Sequence, residues 1–234
     1  MKFNINKLFT VIIAVLFPFI ILMGGIRLIM TPAFPVMEYK RAGFPEDPYG
    51  FDQVDREKWS AFAVKYLTNS KEIDYLGNLQ DFSGNKIFRA EELTHMEDVK
   101  RVVKGSFFIW YVAVGIVFGL TIWLLVQKAW HEFRLGYRSG AWITLGLMVA
   151  MIAYVAINFD RLFDQFHRIF FTEGTWLFYP TDTLIRLFPL DLWRDAFLFV
   201  GGFTLLVAVL LLIVTRRKKH PNPASVPSDY PTVG

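Results

Sequence analysis

Few side chains in this sequence can move a proton at neutral pH. The chain has four histidines, His95, His131, His167 and His220, and no cysteine. Imidazole titrates close to physiological pH, so a pair of them can divide general acid and general base work. His95 lies in Glu91-Glu92-Leu93-Thr94-His95-Met96-Glu97-Asp98, and His167 follows Asp164 by three residues. Each therefore has carboxylates at the spacing that shares a helix face, close enough to orient a ring. For either residue alone, the alternative is a histidine satisfied by ordinary ion pairs at a membrane boundary. His131 and His220 are surrounded by Lys and Arg and read as solvated or headgroup-facing. The missing thiols exclude disulfides, thiolate metal sites and a Cys nucleophile. There is no G-x-S-x-G and no phosphate-binding loop. No H-x-x-x-H spacing occurs, and a catalytic zinc would want a third ligand. A haem held between two histidines is a further function class that the pair leaves open.

The elements that must position these residues follow from hydropathy. The chain has 234 residues, of which 54% are hydrophobic and 17% aromatic. Its mean hydropathy of +0.36 is high for a soluble domain of this size. Four uncharged stretches, 8–26, 105–127, 139–159 and 196–215, run from 19 to 23 residues, long enough for a hydrocarbon core of ~30 Å. The first is preceded by Lys2 and Lys7, as a signal peptide would be. Its apolar run is longer than a typical h-region and no small-x-small cleavage site follows, so it reads as a retained helix, kinked by Pro18.

The basic residues set the expected orientation. Lys2 and Lys7, then Lys128, Arg134 and Arg138, then Arg216-Arg217-Lys218-Lys219 fall on one side of a four-span chain. By the positive-inside rule that side is cytoplasmic. The two segments on the other side are acidic on balance, the first with 11 basic and 13 acidic residues. The net charge of +4 is thus a topology signal rather than a nucleic-acid footprint. The expected fold is an all-α membrane protein with four transmembrane helices, N-in and C-in. Its parts are an N-terminal flank with the first span (1–30), an extracytoplasmic domain (31–104), the second span (105–127), a cytoplasmic loop (128–138), the third span (139–159), an external aromatic and interfacial segment (160–195), the fourth span (196–215) and a basic, disordered cytoplasmic tail (216–234).

Local patterns fill in the external segments. Pro32, Pro35, Pro45 and Pro48 predict an irregular or extended opening. Asp52 followed by Asp55 predicts a helix start, with Trp59, Phe62, Ala63, Tyr66 and Leu67 on one face. Ser83-Gly84-Asn85 predicts a turn, and 90–104 a helix running straight into span two. Two readings of that helix compete. One has it already formed at Glu91, with carboxylates on the face of His95 raising its pKa; the other has Thr94 as N-cap, with a positive helix end lowering it. Phe159, Leu162, Phe163, Phe166, Ile169 and Phe170 predict that span three continues as an aromatic helix up to Thr172-Glu173-Gly174. Trp176 and Phe178 suit the membrane interface, and a short amphipathic helix after Tyr179-Pro180 is expected to lie in its plane. Arg27 is the one ionisable residue close to a membrane core. It either snorkels or pairs with an anionic headgroup or an external carboxylate.

At its two histidine blocks the sequence resembles the lipoprotein intramolecular transacylase (Lit) family of bacterial integral membrane proteins. The blocks are Glu92-Leu93-Thr94-His95-Met96-Glu97-Asp98-Val99-Lys100 and Phe166-His167-Arg168-Ile169-Phe170-Phe171, followed by Trp176, Pro180, Asp182, Leu184-Ile185 and Phe188-Pro189. The four-span plan with a large first external loop is similar too. Tyr179, Leu190 and Glu173 depart from the family pattern. The resemblance implies an acyltransferase of the cell membrane, with its active site on the extracytoplasmic side. It would move the sn-2 acyl chain of a diacylglyceryl-cysteine lipoprotein to the α-amino group of the same cysteine, giving lyso-form lipoprotein. It implies His95 as general base and His167 as acid or electrostatic partner, or the converse. Asp98 and Asp164 would orient them, and Arg27, Arg168 and Trp176 would contact substrate. The expected partners are the diacylated lipoprotein N-terminus and membrane lipids, with no nucleic acid, obligate protein partner, cofactor or metal. The rival expectation is a non-enzymatic membrane protein that binds lipoproteins or envelope components through its external domain.

Overall fold

The computed structural model describes residues 4–216. Lys2, Arg217, Lys218, Lys219, His220 and the tail, with the expectations attached to them, lie outside the described residues. Within them the chain is helical: α1 Ile5–Ile29, α2 Ala33–Tyr39, α3 Gln53–Thr68, α4 Asp74–Gly77, α5 Ala90–Val126, α6 Trp130–Ile157, α7 Phe159–Phe170, α8 Thr183–Leu187 and α9 Leu190–Val214. Among the described residues the only β-type pairing is the isolated bridge of Gln80 with Lys86. It closes a turn in which Gly84 has φ +84°, at the predicted Ser83-Gly84-Asn85.

Four helices, α1, α5, α6 and α9, are long and apolar enough to cross a membrane. The innermost is α1, packed against α5, α6 and α9. It runs unbroken through Pro18. Ile13 is buried with Val117 and Leu124 of α5, and Phe17 and Ile21 with Ala141 of α6 and Ala208 of α9. The approach of α6 depends on Gly136 and Gly140, a G-x-x-x-G pair that lets two backbones come close. A Cβ on Gly140 would lie 2.8 Å from Cβ of Phe17, and one on Gly136 would lie 3.2 Å from the Thr10 carbonyl oxygen. By contrast Phe108, Ile109, Val112, Ile116 and Phe118 of α5 point outward, as expected of a surface solvated by lipid tails.

The extramembrane unit packs α3, α4, α8 and the charged first part of α5 around a single core. Trp59, Ala63, Tyr66, Leu76, Ile87, Phe88, Met96, Leu184 and Leu187 are all buried there. Asp52 caps α3 as predicted, accepting from the Asp55 amide at 2.8 Å. The α5 helix passes without interruption from Ala90 into the apolar stretch.

Five expectations are corrected. The proline-rich opening contains a helix, α2, because Pro32 and Pro35 stand in its first turn, where a missing amide costs nothing. The segment read as the loop 128–138 is helical from Trp130, leaving only a tight turn with Lys128 at φ +55°. Span three does not continue smoothly into the aromatic helix. Asn158 is extended, and its side chain accepts from the Arg161 amide at 2.9 Å, ending α6 and starting α7. The helix that carries span four starts earlier than its uncharged stretch, at Leu190, with Asp191, Arg194 and Asp195 of its first turns pairing among themselves and with Arg41. Lastly, the apolar side of α8 is covered by protein instead of being a free face: Leu184 and Leu187 fill the core beside α3 and α5.

The contact at Gly140 makes a clean test of the α1–α6 packing. Gly140→Ala should lower stability in detergent by about 1–3 kcal/mol through overpacking against Phe17. Gly146→Ala, in the same helix with open space around it, should be neutral or stabilising. Thermal unfolding of the two variants measures the difference.

Candidate active site at the histidine pair

His95 lies one turn into α5, ahead of the apolar stretch that begins at Gly105. Its register is fixed by Glu92. This side chain is fully buried, and its carboxylate accepts from the Arg89 amide at 2.8 Å and from the Leu184 amide at 2.7 Å. One carboxylate thus satisfies orphan donors at the starts of both α5 and α8. Burial pushes the Glu92 carboxyl above the usual range, and the two amides oppose that. Beside it, Arg89 donates to Asp182 at 2.7 Å, and Asp182 accepts from the Tyr179 amide at 2.8 Å. These bonds draw the segment holding Trp176 and Phe178 onto the His95 end of α5. Of the two readings of this helix, the earlier start is therefore the one found; Thr94 donates to the Ala90 carbonyl at 3.1 Å instead of capping.

The two histidines meet although 72 residues separate them in the chain. Their ring centroids are 6.2 Å apart with planes 21° from parallel. Aromatic rings wall them in. Phe171 and Phe178 lie 5.0 and 5.4 Å from His95, and Phe163 and Trp176 lie 4.2 and 4.8 Å from His167. His167 Nδ1 is 2.8 Å from the Phe163 carbonyl oxygen. A carbonyl only accepts, so Nδ1 carries the proton and Nε2 keeps the lone pair. The buried atoms His95 Nδ1 and Trp176 Nε1 have no hydrogen-bond partner. An open cleft of about 210 Å³ lies against the Phe171 ring, which neighbours both histidines; it is lined by Asp98, Val102, Phe170 and Phe171 among others.

Neither carboxylate orients its histidine. Asp98 is ion-paired with Arg101, and Asp164 with Arg168 at 2.8 Å; Arg168 also reaches Glu173 at 3.5 Å. Asp98 and Asp164 raise the imidazole pKa values only from a distance. Burial outweighs them, so the His95 pKa falls to about 4, helped by the neighbouring His167. His167 is lowered as well, chiefly by burial, against the Phe163 carbonyl and Asp164. Both rings are neutral at pH 7. Trp176 is nine-tenths buried and belongs to the pocket wall instead of the membrane interface. Arg168 sits at the exposed rim. Arg27 is not brought to the pair: its guanidinium lies over Phe107, 5.8 Å from the ring centroid, and Phe107 is about 18 Å along α5 from His95.

Three contributors were not singled out from sequence as parts of the site: Glu92 as a two-helix clamp, the Phe163 carbonyl and the Phe171 ring. Glu92 did carry a signal, since a Glu three residues into a helix is half of a capping box. Among the described residues, no group of three or more His, Asp or Glu side chains is arranged to hold a metal ion.

Comparison with known proteins shows the family of the chain. Residues 11–193 match the family model described as lipoprotein intramolecular transacylase Lit. The chain belongs to the lipoprotein intramolecular transacylase family. An uncharacterised protein of Aquifex aeolicus (strain VF5) is 31% identical over 207 residues, covering 88% of this chain and 93% of the relative. The fold is similar to the in meso structure of the membrane integral lipoprotein intramolecular transacylase Lit from Bacillus cereus. That match has TM-score 0.73 and 20% identity, and covers 90% of this chain and 94% of the other. A histidine-to-alanine variant of the same protein matches with TM-score 0.69 and 18% identity, over 90% and 92% of the two chains. Family membership makes this transacylase a multi-pass membrane acyltransferase acting on lipoproteins.

The depressed pKa values have a sign that can be checked. A histidine held neutral by burial opposes folding once the unfolded chain can protonate. Its destabilising effect is therefore absent above pH ~6.5 and grows as pH falls toward 4. ¹⁵N-histidine NMR of the protein in detergent should show His95 still neutral at pH 5 and charging only near pH 4. An imidazolium signal for His95 at pH 6 would contradict the buried site.

Proposed function

We propose that this transacylase moves the sn-2 acyl chain of a diacylglyceryl-cysteine lipoprotein to the α-amino group of the same cysteine. The observation that carries the proposal is the pair of facing imidazoles in an aromatic enclosure, surroundings that favour their neutral forms. The amine nitrogen attacks the ester carbonyl carbon. The C–O bond to glycerol breaks, an amide forms, and one proton passes from nitrogen to the glycerol oxygen. Both reacting groups belong to one molecule, so the site supplies confinement and orientation in place of a second substrate. No protein nucleophile enters the balance, in keeping with a chain that has no cysteine.

The geometry favours the converse of the first assignment of roles. His167 is oriented by the Phe163 carbonyl, presents Nε2 as its lone pair, and has that carbonyl and Asp164 supporting its charged form. It is the better general base, able to take the amine proton and return it to the glycerol oxygen. His95, whose pKa burial pushes down to about 4, acts as a neutral hydrogen-bond donor to the developing oxyanion, joined by the unpartnered Trp176 Nε1–H. Asp98 and Asp164 influence the pair through space, while Arg168 and Arg101 at the rim face the polar part of the substrate.

We place this site on the extracytoplasmic side. Lys7 at the start of α1 and Lys128, Arg134 and Arg138 around the α5–α6 turn mark the opposite end as cytoplasmic. That is the side on which lipoprotein N-termini reach the outer leaflet. The exposed turn at Ser83 tests the orientation, because the chain has no native cysteine to compete. Ser83→Cys in intact spheroplasts should react with a membrane-impermeant maleimide; labelling only after lysis would reverse the topology.

The chemistry is tested with purified protein and a synthetic diacyl lipopeptide, read by tandem mass spectrometry because the transfer leaves the mass unchanged. His95→Ala and His167→Ala should each abolish N-acylation while the variants stay folded. Trp176→Phe, which keeps the ring and removes the N–H, should lower kcat by roughly 10²-fold with a smaller change in KM. Undiminished N-acylation in either histidine variant would overturn the assignment of that residue. A folded native protein that binds the lipopeptide without converting it would favour the rival binding role.

A further inference from the structure

A second cavity, of about 320 Å³, lies on the flank of α5 next to the one that carries His95. Its cations are Lys71, Lys100, Arg101 and Lys104, set against the carboxylates of Glu72 and Glu97. Three of the four cations stand in the last turns of α5 before its apolar stretch begins at Gly105, which sets the cavity at the level of the lipid headgroups. Arg101 also lines the cleft beside the histidine pair, so the two spaces share a wall.

The charge here is built in rather than scattered. Lys100 is buried, and its ammonium donates to Asn69 Oδ1 and the Lys71 carbonyl and lies 3.8 Å from the centroid of the Tyr66 ring. A lysine used for snorkelling would have a free, mobile head; this one is fixed with its charge at the cavity wall. Lys71 and Lys104 are exposed, and neither pairs with Glu72 or Glu97 within 4.0 Å among the described residues. Burial and the charge of Lys104 lower the Lys100 pKa, with Glu72 opposing. An anion bound in the cavity would favour the charged form of all three lysines.

We infer that this cavity binds the phosphate of an anionic phospholipid headgroup at the membrane surface, beside the proposed reaction site. With Arg101 paired to Asp98, the three lysines against the carboxylates of Glu72 and Glu97 still leave an excess positive charge that suits a phosphodiester bearing no cation of its own. A zwitterionic headgroup would bring its ammonium into the same positive field. The inference rests on the level of the cavity in the membrane and on its charge, and does not need the acyl transfer to be correct.

The test uses the full chain in nanodiscs and reads lipid binding, so failure of the acyl-transfer proposal leaves it unaffected. Native mass spectrometry after release from nanodiscs of equal phosphatidylglycerol and phosphatidylcholine should show retained phosphatidylglycerol in excess. The double variant Lys71→Gln with Lys104→Gln removes two exposed cations and leaves the Lys100 contacts in place. It should cut that preference by roughly fivefold for each charge removed. Lys128→Gln, at the opposite end of α5, should leave it unchanged. Equal retention of both lipids, or an unchanged preference in the double variant, would overturn the inference. Saturable binding of inorganic phosphate with no preference between the lipids would overturn the headgroup assignment in favour of a free anion. Displacement of the retained phosphatidylglycerol by an acidic peptide alone would overturn it in favour of a protein ligand.

Discussion

A single buried carboxylate holds two helix starts together. α8 has only five residues, far too few to be stable alone. What fixes it is polar: its Leu184 amide ends on Glu92, Thr183 donates to the Ile87 carbonyl, and Leu187 accepts from the Tyr39 hydroxyl. Arg186 adds a pair with Asp47 at 2.8 Å that is almost wholly shielded from solvent. A buried donor left without a partner costs about 1–3 kcal/mol, so a segment tied by several such bonds has few alternative positions. Glu92 matters most among them because the other amide it holds begins α5, one turn before His95. The wall of the histidine pocket and the histidine itself are positioned by the same side chain.

The electrostatics of the pair follow from where the charges are not. Each imidazole has an aspartate nearby in the chain, and each aspartate is taken by an arginine. The rings are left with aromatic neighbours and one backbone carbonyl. In such surroundings burial decides the protonation state, and two imidazoles this close resist being charged together. Neutral rings suit proton shuttling in a medium where a persistent charge would be expensive.

The sequence made some of this legible and hid the rest for identifiable reasons. The four apolar stretches were visible because the bilayer imposes a length and a composition on every span. The pairing of His95 and His167 was suggested by both lying at one end of adjacent spans. Hydropathy does not show where helices extend beyond their uncharged stretches, which is why 130–138 reads as a loop and why the last helix starts six residues before its apolar run. The break at Asn158 turns on one residue leaving the helical conformation and capping the next helix, and a periodic row of Phe gives no hint of that. The helix partners of the histidines were misjudged because i±3 spacing says which side chains can meet. It does not say which competitor, here Arg101 or Arg168, wins.

That break divides the two histidines between supports of different character. His95 belongs to a helix of 37 residues that is anchored in the extramembrane core at one end and in the bundle at the other. His167 rides on α7, whose side chains, His167 included, are at most half-buried, and which is joined to α6 through an extended Asn158. Substitutions along the outer face of α7 can accumulate with little cost to folding. The opposite side of the pocket, bound to Glu92, has no such freedom.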